Sequence, residues 1–328
     1  MFMRRERARF ARIAAMFVCL GVNSPTTAGA VETIKTGAIG SPSPLGWPFY
    51  IGVAKGFFSA EGLQFDLIFT PSAPNLLQQL SAGSLEIAVS TGLVDPIRAI
   101  DKGGPVALIF IEVQGAPYVL MAKPEIKSLA GLKGKIVAVG GLNDITNIYI
   151  DRMLAPSGIK RGEFDMRFFG STPARYAALQ AGAVDAAMLS QPANFYAEAA
   201  GYSNLGLVMD YVRDFPFSGS AVNLAWGEAH HDTVKRFIAT YKQGVAWFRD
   251  AKNRDEAIKI MAEASQGKPE DLAKSYDFLR QGDFFESTGK ISRSRLKNLV
   301  TAMHSLGDID DLPEAERLVA PGLTELSD

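Results

Sequence analysis

The chain has 328 residues, 47% of them hydrophobic and 21% charged, with a formal net charge of −1. That composition excludes a disordered chain, and it offers no basic surface for nucleic acid, so no nucleic-acid partner is expected. The length suits one large domain or two moderate ones.

The N-terminus has three parts. Arg4, Arg5, Arg7, Arg9 and Arg12 form a basic region, residues 13–22 are apolar, and Ala28, Gly29 and Ala30 are small. This is the form of a secretory signal peptide, so residues 1–30 are expected to be removed after Ala30 and the protein to be periplasmic. The apolar run is too short for a permanent span. Cys19, the only cysteine, lies inside that run, and Val18 precedes it where a lipoprotein signal needs a small residue. An exported chain starting at Val31 would have no disulfide, thiolate chemistry or cysteine metal site. Residues 31–328 carry a net charge of −5.

From there the pattern alternates strands and helices. Residues 33–39 read as a strand, 40–46 as a turn-rich loop, 47–58 as a helix and 64–69 as a second strand. Ser72 or Asn75 starts a helix to Ala82, residues 86–89 form a short buried strand, and a helix is expected to begin at Ser90, Thr91 and Gly92. Residues 106–113 are a strongly apolar strand, and 118–122 another. Residues 128–132 read as one helical turn, 135–139 as a strand and 143–154 as a helix. Strands are expected at 205–212 and 220–225. Helices follow at 228–250, 254–264, 269–282 and 292–305.

One phrase occurs twice. Residues 80–88 read LSAGSLEIA and residues 179–187 read LQAGAVDAA, a spacing of 99. In each copy a helix ends on an apolar turn, a Gly takes the left-handed position beyond it, and an acid precedes a short strand. The flanks at 58–69 and 155–169 correspond as well. Two related strand–helix units predict mainly parallel sheets with helices on both faces. The helical tail has no strands of its own, so it is assigned to the first unit. The expected division is 31–117 with 218–328 as lobe one and 118–217 as lobe two. The chain would cross between them near 116–119 and 214–220, which makes a hinge and a cleft.

The segment IGVAKGFFSAEGL at 51–63, the phrase at 80–88 and SLAGLKGKIVAV at 128–139 resemble the periplasmic solute-binding proteins for taurine, alkanesulfonates, nitrate and thiamine-precursor pyrimidines. The resemblance spans most of the chain after residue 30. It implies an α/β, two-lobed periplasmic-binding-protein fold of type II kind, with no enzymatic activity, that captures a small solute and delivers it to an ABC permease in the inner membrane. It also implies a monomer. Two other readings share the fold: an enzyme of the menaquinone or thiamine-pyrimidine biosynthesis type, and a periplasmic ligand sensor.

No catalytic set accompanies this pattern. His230 and His231 are adjacent and His304 is distant, which is not metal-ligand spacing, so neither metal nor cofactor is expected. The candidate site is instead the set of loops after strands, where ligands sit in open α/β sheets. These loops contribute Ser41, Trp47, Ser72, Ser90, Thr91, Asn143, Asp144, Thr146, Thr172, Arg175, Gln191 and Asn194. Helices start beside them, and helix N-termini favour oxyanions, so a small organic acid is expected, held at 90–91, 143–146 and 172–175. Ser and Thr there also serve simply as caps. Arg175 either pairs with the ligand or with a nearby surface acid. Asp144 either caps its helix or receives N–H donors, as from a pyrimidine. Trp47, Phe49, Tyr118, Phe195 and Phe217 are candidate aromatic walls.

Overall fold

The computed structural model describes residues 31–142 and 144–328. The signal-peptide reading, Cys19 and Asn143 therefore lie outside the described residues. Residues Val31–Asp328 make one compact unit containing two five-stranded sheets. The first has strand order β2-β1-β3-β10-β4, with β1 Glu32–Ile39, β2 Leu63–Thr70, β3 Ile87–Gly92, β4 Val106–Val113 and β10 Ser218–Asn223. The second has order β7-β6-β8-β5-β9, with β5 Val119–Ala122, β6 Ile136–Val139, β7 Asp165–Phe168, β8 Ala186–Leu189 and β9 Ser203–Leu207. The plans match. In each sheet the fourth strand, β10 or β5, is antiparallel to both neighbours, and the other four share one direction.

The repeated phrase occupies the same place in both. Its first copy joins the helix Ala73–Ser81 to β3, and its second joins Thr172–Gln180 to β8. Gly83 (φ +73°) and Gly182 (φ +71°) both take the left-handed conformation that ends these helices. The acid of each copy has a definite task. Glu86 accepts the Lys35 N–H of β1 at 2.7 Å, and Asp185 accepts the Ile136 N–H of β6 at 2.9 Å. Each carboxylate thus pins its strand to the neighbour that pairs in parallel.

The β4 strand explains why the first sheet is covered on both sides. All eight of its residues are buried. Val106 and Leu108 join an apolar cluster with Ile97 and Ile100, whereas Ala107 and Ile109 join another with Phe237 and Tyr241. Period-two alternation therefore feeds two layers, one under the helix Val94–Asp101 and one under His231–Arg249. The tail helices build on this second layer. His231–Arg249 and Arg254–Ser265 pack on Trp47–Ala54, and Pro269–Gln281 packs on Arg254–Ser265.

Some element boundaries differ from the sequence reading. The expected helix at 47–58 breaks after Ala54 and resumes as Phe57–Ala60. β3 runs on through Gly92, and the next helix begins only at Val94. The strand expected at 205–212 stops at Leu207, because the chain turns into the helix Val208–Tyr211. The strand expected at 220–225 ends at Asn223, whose side chain caps the next helix by accepting the Trp226 N–H at 3.0 Å.

The chain passes from the first sheet to the second through residues 114–118, and back through 212–217. One side chain from the tail ties these passages together. Arg295 donates to Gln114 Oε1 at 2.9 Å, to Gln114 O, and to Phe215 O at 2.9 Å.

Glu112 is wholly buried in β4. It accepts the Ser90 N–H at 3.0 Å, the Ser90 hydroxyl at 2.7 Å, the Tyr241 hydroxyl at 3.2 Å, and the Ser220 hydroxyl. Burial pushes its carboxyl above the usual range, and these donors oppose that push. Glu112→Ala should leave several buried donors unmatched and destabilise by about 3 kcal/mol or more. Glu112→Gln, which keeps an acceptor for Ser90 N–H and Ser220, should cost much less. A raised folded-state pKa means that wild-type stability relative to Glu112→Gln is highest below the ordinary glutamate range and falls as pH rises through the raised value. Urea titrations of both variants across pH test this.

Candidate functional site

The loop after β3 and the loop after β6 face one cavity of about 700 Å³. Gly92, Leu93, Val94 and Asp95 line it from the first sheet, and Gly141, Asp144 and Ile145 from the second. This is the position outside the carboxyl ends of strands where open α/β sheets bind ligands. Tyr118 and Phe217 also line it, one from each passage between the sheets. Their rings meet edge to face at 5.7 Å, and Tyr149 stands 6.4 Å from Tyr118.

The polar lining is mostly acidic. Asp95, Asp144, Asp308 and Asp310 face the cavity with Arg98 and Lys102. Arg98 donates to both carboxylate oxygens of Asp308, at 2.7 Å each, and to Asp95 at 2.7 Å. Burial pushes the Asp95 carboxyl up; Arg98 opposes this, while the Asp144 and Asp308 charges add to it. Burial likewise raises the Tyr118 and Tyr149 phenols, with the Asp144 charge adding to both. Asp144 is held by Thr146, whose N–H donates to Oδ1 at 2.9 Å and whose hydroxyl donates to the same atom.

Of the residues singled out in the sequence, Tyr118, Asp144 and Phe217 line this cavity. Thr146 is buried behind Asp144 and also accepts the Gly140 N–H at 2.8 Å. Trp47 is corrected: it is wholly buried, packs on Phe248 and Tyr276, and donates its indole N–H to Ala257 O at 2.9 Å. An expected cleft wall is core because the tail helices close over it. Phe49 is core as well. The Ser90 N–H and hydroxyl point to Glu112 instead of offering donors to a ligand, and Thr91 is wholly buried. Ser72 caps its helix, and Ser41 is exposed outside the cavity.

Arg175 is neither a surface residue nor paired with an acid. It is 3% exposed and donates to Met188 O at 2.6 Å, Phe169 O at 3.1 Å and the Thr172 hydroxyl at 2.9 Å. Its guanidinium lies 5.6 Å from the Tyr118 ring centroid. Thr172 in turn meets the Ser190 hydroxyl at 3.0 Å. Gln191 donates to Pro117 O, and Asn194 is buried with its Oδ1 unpartnered. Phe195 packs on Phe278.

The sequence reading missed Asp95, Arg98, Asp308 and Asp310. Asp95 lies four residues beyond Thr91, the last candidate of its loop, in the first turn of the helix that follows. The Arg98–Asp308 pair joins residues 210 apart, so no local pattern marks it. Among the described residues, no group of His, Cys, Asp and Glu side chains could hold a metal ion, and no helix is long and apolar enough to cross a membrane.

Residues 44–254 match the family described as NMT1/THI5 like, and the chain belongs to that family. Among solved structures it is similar to the periplasmic aliphatic sulphonate binding protein SsuA from Escherichia coli, with 17% identity, a TM-score of 0.74, and coverage of 89% of this chain and 98% of that one. It is also similar to the alkanesulfonate-binding protein SsuA from Xanthomonas axonopodis pv. citri bound to MOPS, with 16% identity, a TM-score of 0.68, and coverage of 92% and 100%. A third is the periplasmic nitrate-binding protein NrtA from Synechocystis PCC 6803, with 17% identity, a TM-score of 0.61, and coverage of 75% and 70%. These likenesses show the periplasmic-binding-protein fold that the sequence led us to expect. No curated protein sequence matches the chain.

Arg175 allows a direct test of its structural part. Arg175→Ala should destabilise the protein by about 2–4 kcal/mol, since it strips donors from two buried carbonyls. Arg175→Lys should restore little, because an ammonium cannot reach acceptors in three directions from one planar group. Chemical denaturation of both variants checks this.

Proposed function

We propose that the protein is the substrate-binding component of an ABC-type importer. It is not an enzyme in this reading. It works in the periplasm as a monomer, capturing a small organic solute between two lobes and passing it to a permease in the inner membrane. The lobes are residues 31–117 with 218–328, and residues 118–217. The observation that carries this reading is the cavity of about 700 Å³ between the ends of β3 and β6. Its lining comes from both sheets and from both passages between them, so a bound solute touches parts that can move relative to each other. Solute favours a closed form only by the difference in contacts between closed and open states. The names of the similar structures, for sulfonate and nitrate binding, support the transport role.

A solute at a hundred times its dissociation constant should raise stability by about 2.7 kcal/mol. Thermal-shift screening with small organic solutes, followed by small-angle scattering for a decrease in radius of gyration, tests capture and closure together. A screen in which no solute stabilises the protein overturns the reading. Export is tested separately: N-terminal sequencing of protein recovered outside the cytoplasm should begin at Val31, and Met1 on that protein would sink the expected cleavage.

A further inference from the structure

Helix starts beside a cleft favour anions, but here the chain supplies its own. The helix Val94–Asp101 has Asp95 in its first turn, facing the cavity. The helix Thr146–Leu154 has the Asp144 carboxylate on its first N–H, also facing the cavity. At the second of these helix starts the N–H that an oxyanion would take is already on a carboxylate of the protein, and at the first a carboxylate stands in the first turn. The cavity's cations do not reverse this. Arg98 is engaged by Asp308 through two of its nitrogens and by Asp95 through the third. Lys102 is exposed. Four carboxylates thus face the cavity against two cationic side chains.

Asp144 has capacity left. Its Oδ1 receives both Thr146 donors, and no donor among the described residues reaches its Oδ2. It is half-buried beside the ring wall of Tyr118, Tyr149 and Phe217. A further acceptor lies behind the same loop: Asn147 is 2% exposed, donates to Gly141 O and Leu142 O, and has an unpartnered Oδ1. A carboxylate with an open oxygen beside aromatic rings suits a cation that donates hydrogen bonds from one side and meets ring surface on the other.

We propose that the solute carries a protonated amine or amidinium, which seats on Asp144 against the wall formed by Tyr118 and Phe217. This rests on the solute-binding reading and names the class of ligand within it. Burial first, and then the Asp144 and Asp308 charges, push the Asp95 carboxyl up against the pull of Arg98, and a bound cation relieves the repulsion among these carboxylates.

The test uses ring compounds of one shape and opposite charge. Benzylamine and benzamidine are titrated into the purified protein by calorimetry, alongside benzoate and benzenesulfonate. The two cations should bind more tightly than the two anions, and more weakly as salt is raised. Asp144→Asn keeps the Oδ1 acceptor for Thr146 and removes the charge; it should weaken cation binding about tenfold or more. Phe217→Leu, which leaves the Asp144–Thr146 bonds intact, should weaken it as well and serves if the first variant does not fold. Tighter binding of the anions, unchanged cation affinity in Asp144→Asn or, failing that variant, in Phe217→Leu, or no binding by any of the four overturns the cationic solute. Anions alone binding leaves the solute-binding reading standing. If no solute of any charge stabilises the protein in the wider screen, both readings fall.

Discussion

A carboxylate sealed from water determines how the first sheet ends at the cavity. Glu112 lies on β4, yet it receives both donors of Ser90 on β3, the hydroxyl of Ser220 on β10 and the hydroxyl of Tyr241 on the long tail helix. A buried carboxylate is tolerated only where donors surround it. The consequence is geometric. Ser90 adopts a φ of +52°, an uncommon conformation for a residue with a side chain, and two hydrogen bonds to Glu112 hold it there. Two residues later Gly92 reaches the cavity, followed by Leu93, Val94 and Asp95. The same carboxylate that ties β3, β4 and β10 together thus directs the polar end of β3 towards the cavity.

The second sheet has no counterpart of Glu112 in its fourth or fifth strand: β5 reads VLMA and β9 SNLGL. What both sheets share is the acid of the repeated phrase on the neighbouring strand's N–H. The common feature therefore governs strand pairing, and the unshared one governs the cavity. The long tail helix His231–Arg249 lies over the first sheet and brings Tyr241 to Glu112, so the extra network rests on a helix that the second sheet lacks.

Much of the fold was legible because it depends on local signals. The Gly beyond each helix, the acid before each strand and the period-two pattern of 106–113 all act within a few residues. The site was less legible because it depends on which side of a loop faces inward. Asp144, Tyr118 and Phe217 were found as polar or aromatic residues near strand ends. Trp47 met the same criterion and is core, since its burial is decided by helices about 200 residues later. Ser90 was read as a ligand donor, and only the three-dimensional pairing of β4 with β10 reveals Glu112 as its partner. The pairing of Arg98 with Asp308, 210 residues apart, is invisible to any local window.

The anion expectation drew on helix starts, which follow from sequence. Which group stands at those starts does not, because it depends on the way the side chains of Asp95 and Asp144 turn. A similar logic applies to the proposed hinge. Proximity of residues 116–119 and 214–220 followed from two crossings, but the residue that binds them, Arg295, comes from the tail. Its acceptors are one amide oxygen and two backbone carbonyls, and burial pushes its pKa down. A guanidinium held by neutral acceptors makes weaker bonds than one in an ion pair. Such a contact keeps the two passages together while leaving less to break when they shift, which suits the hinge proposed between the lobes.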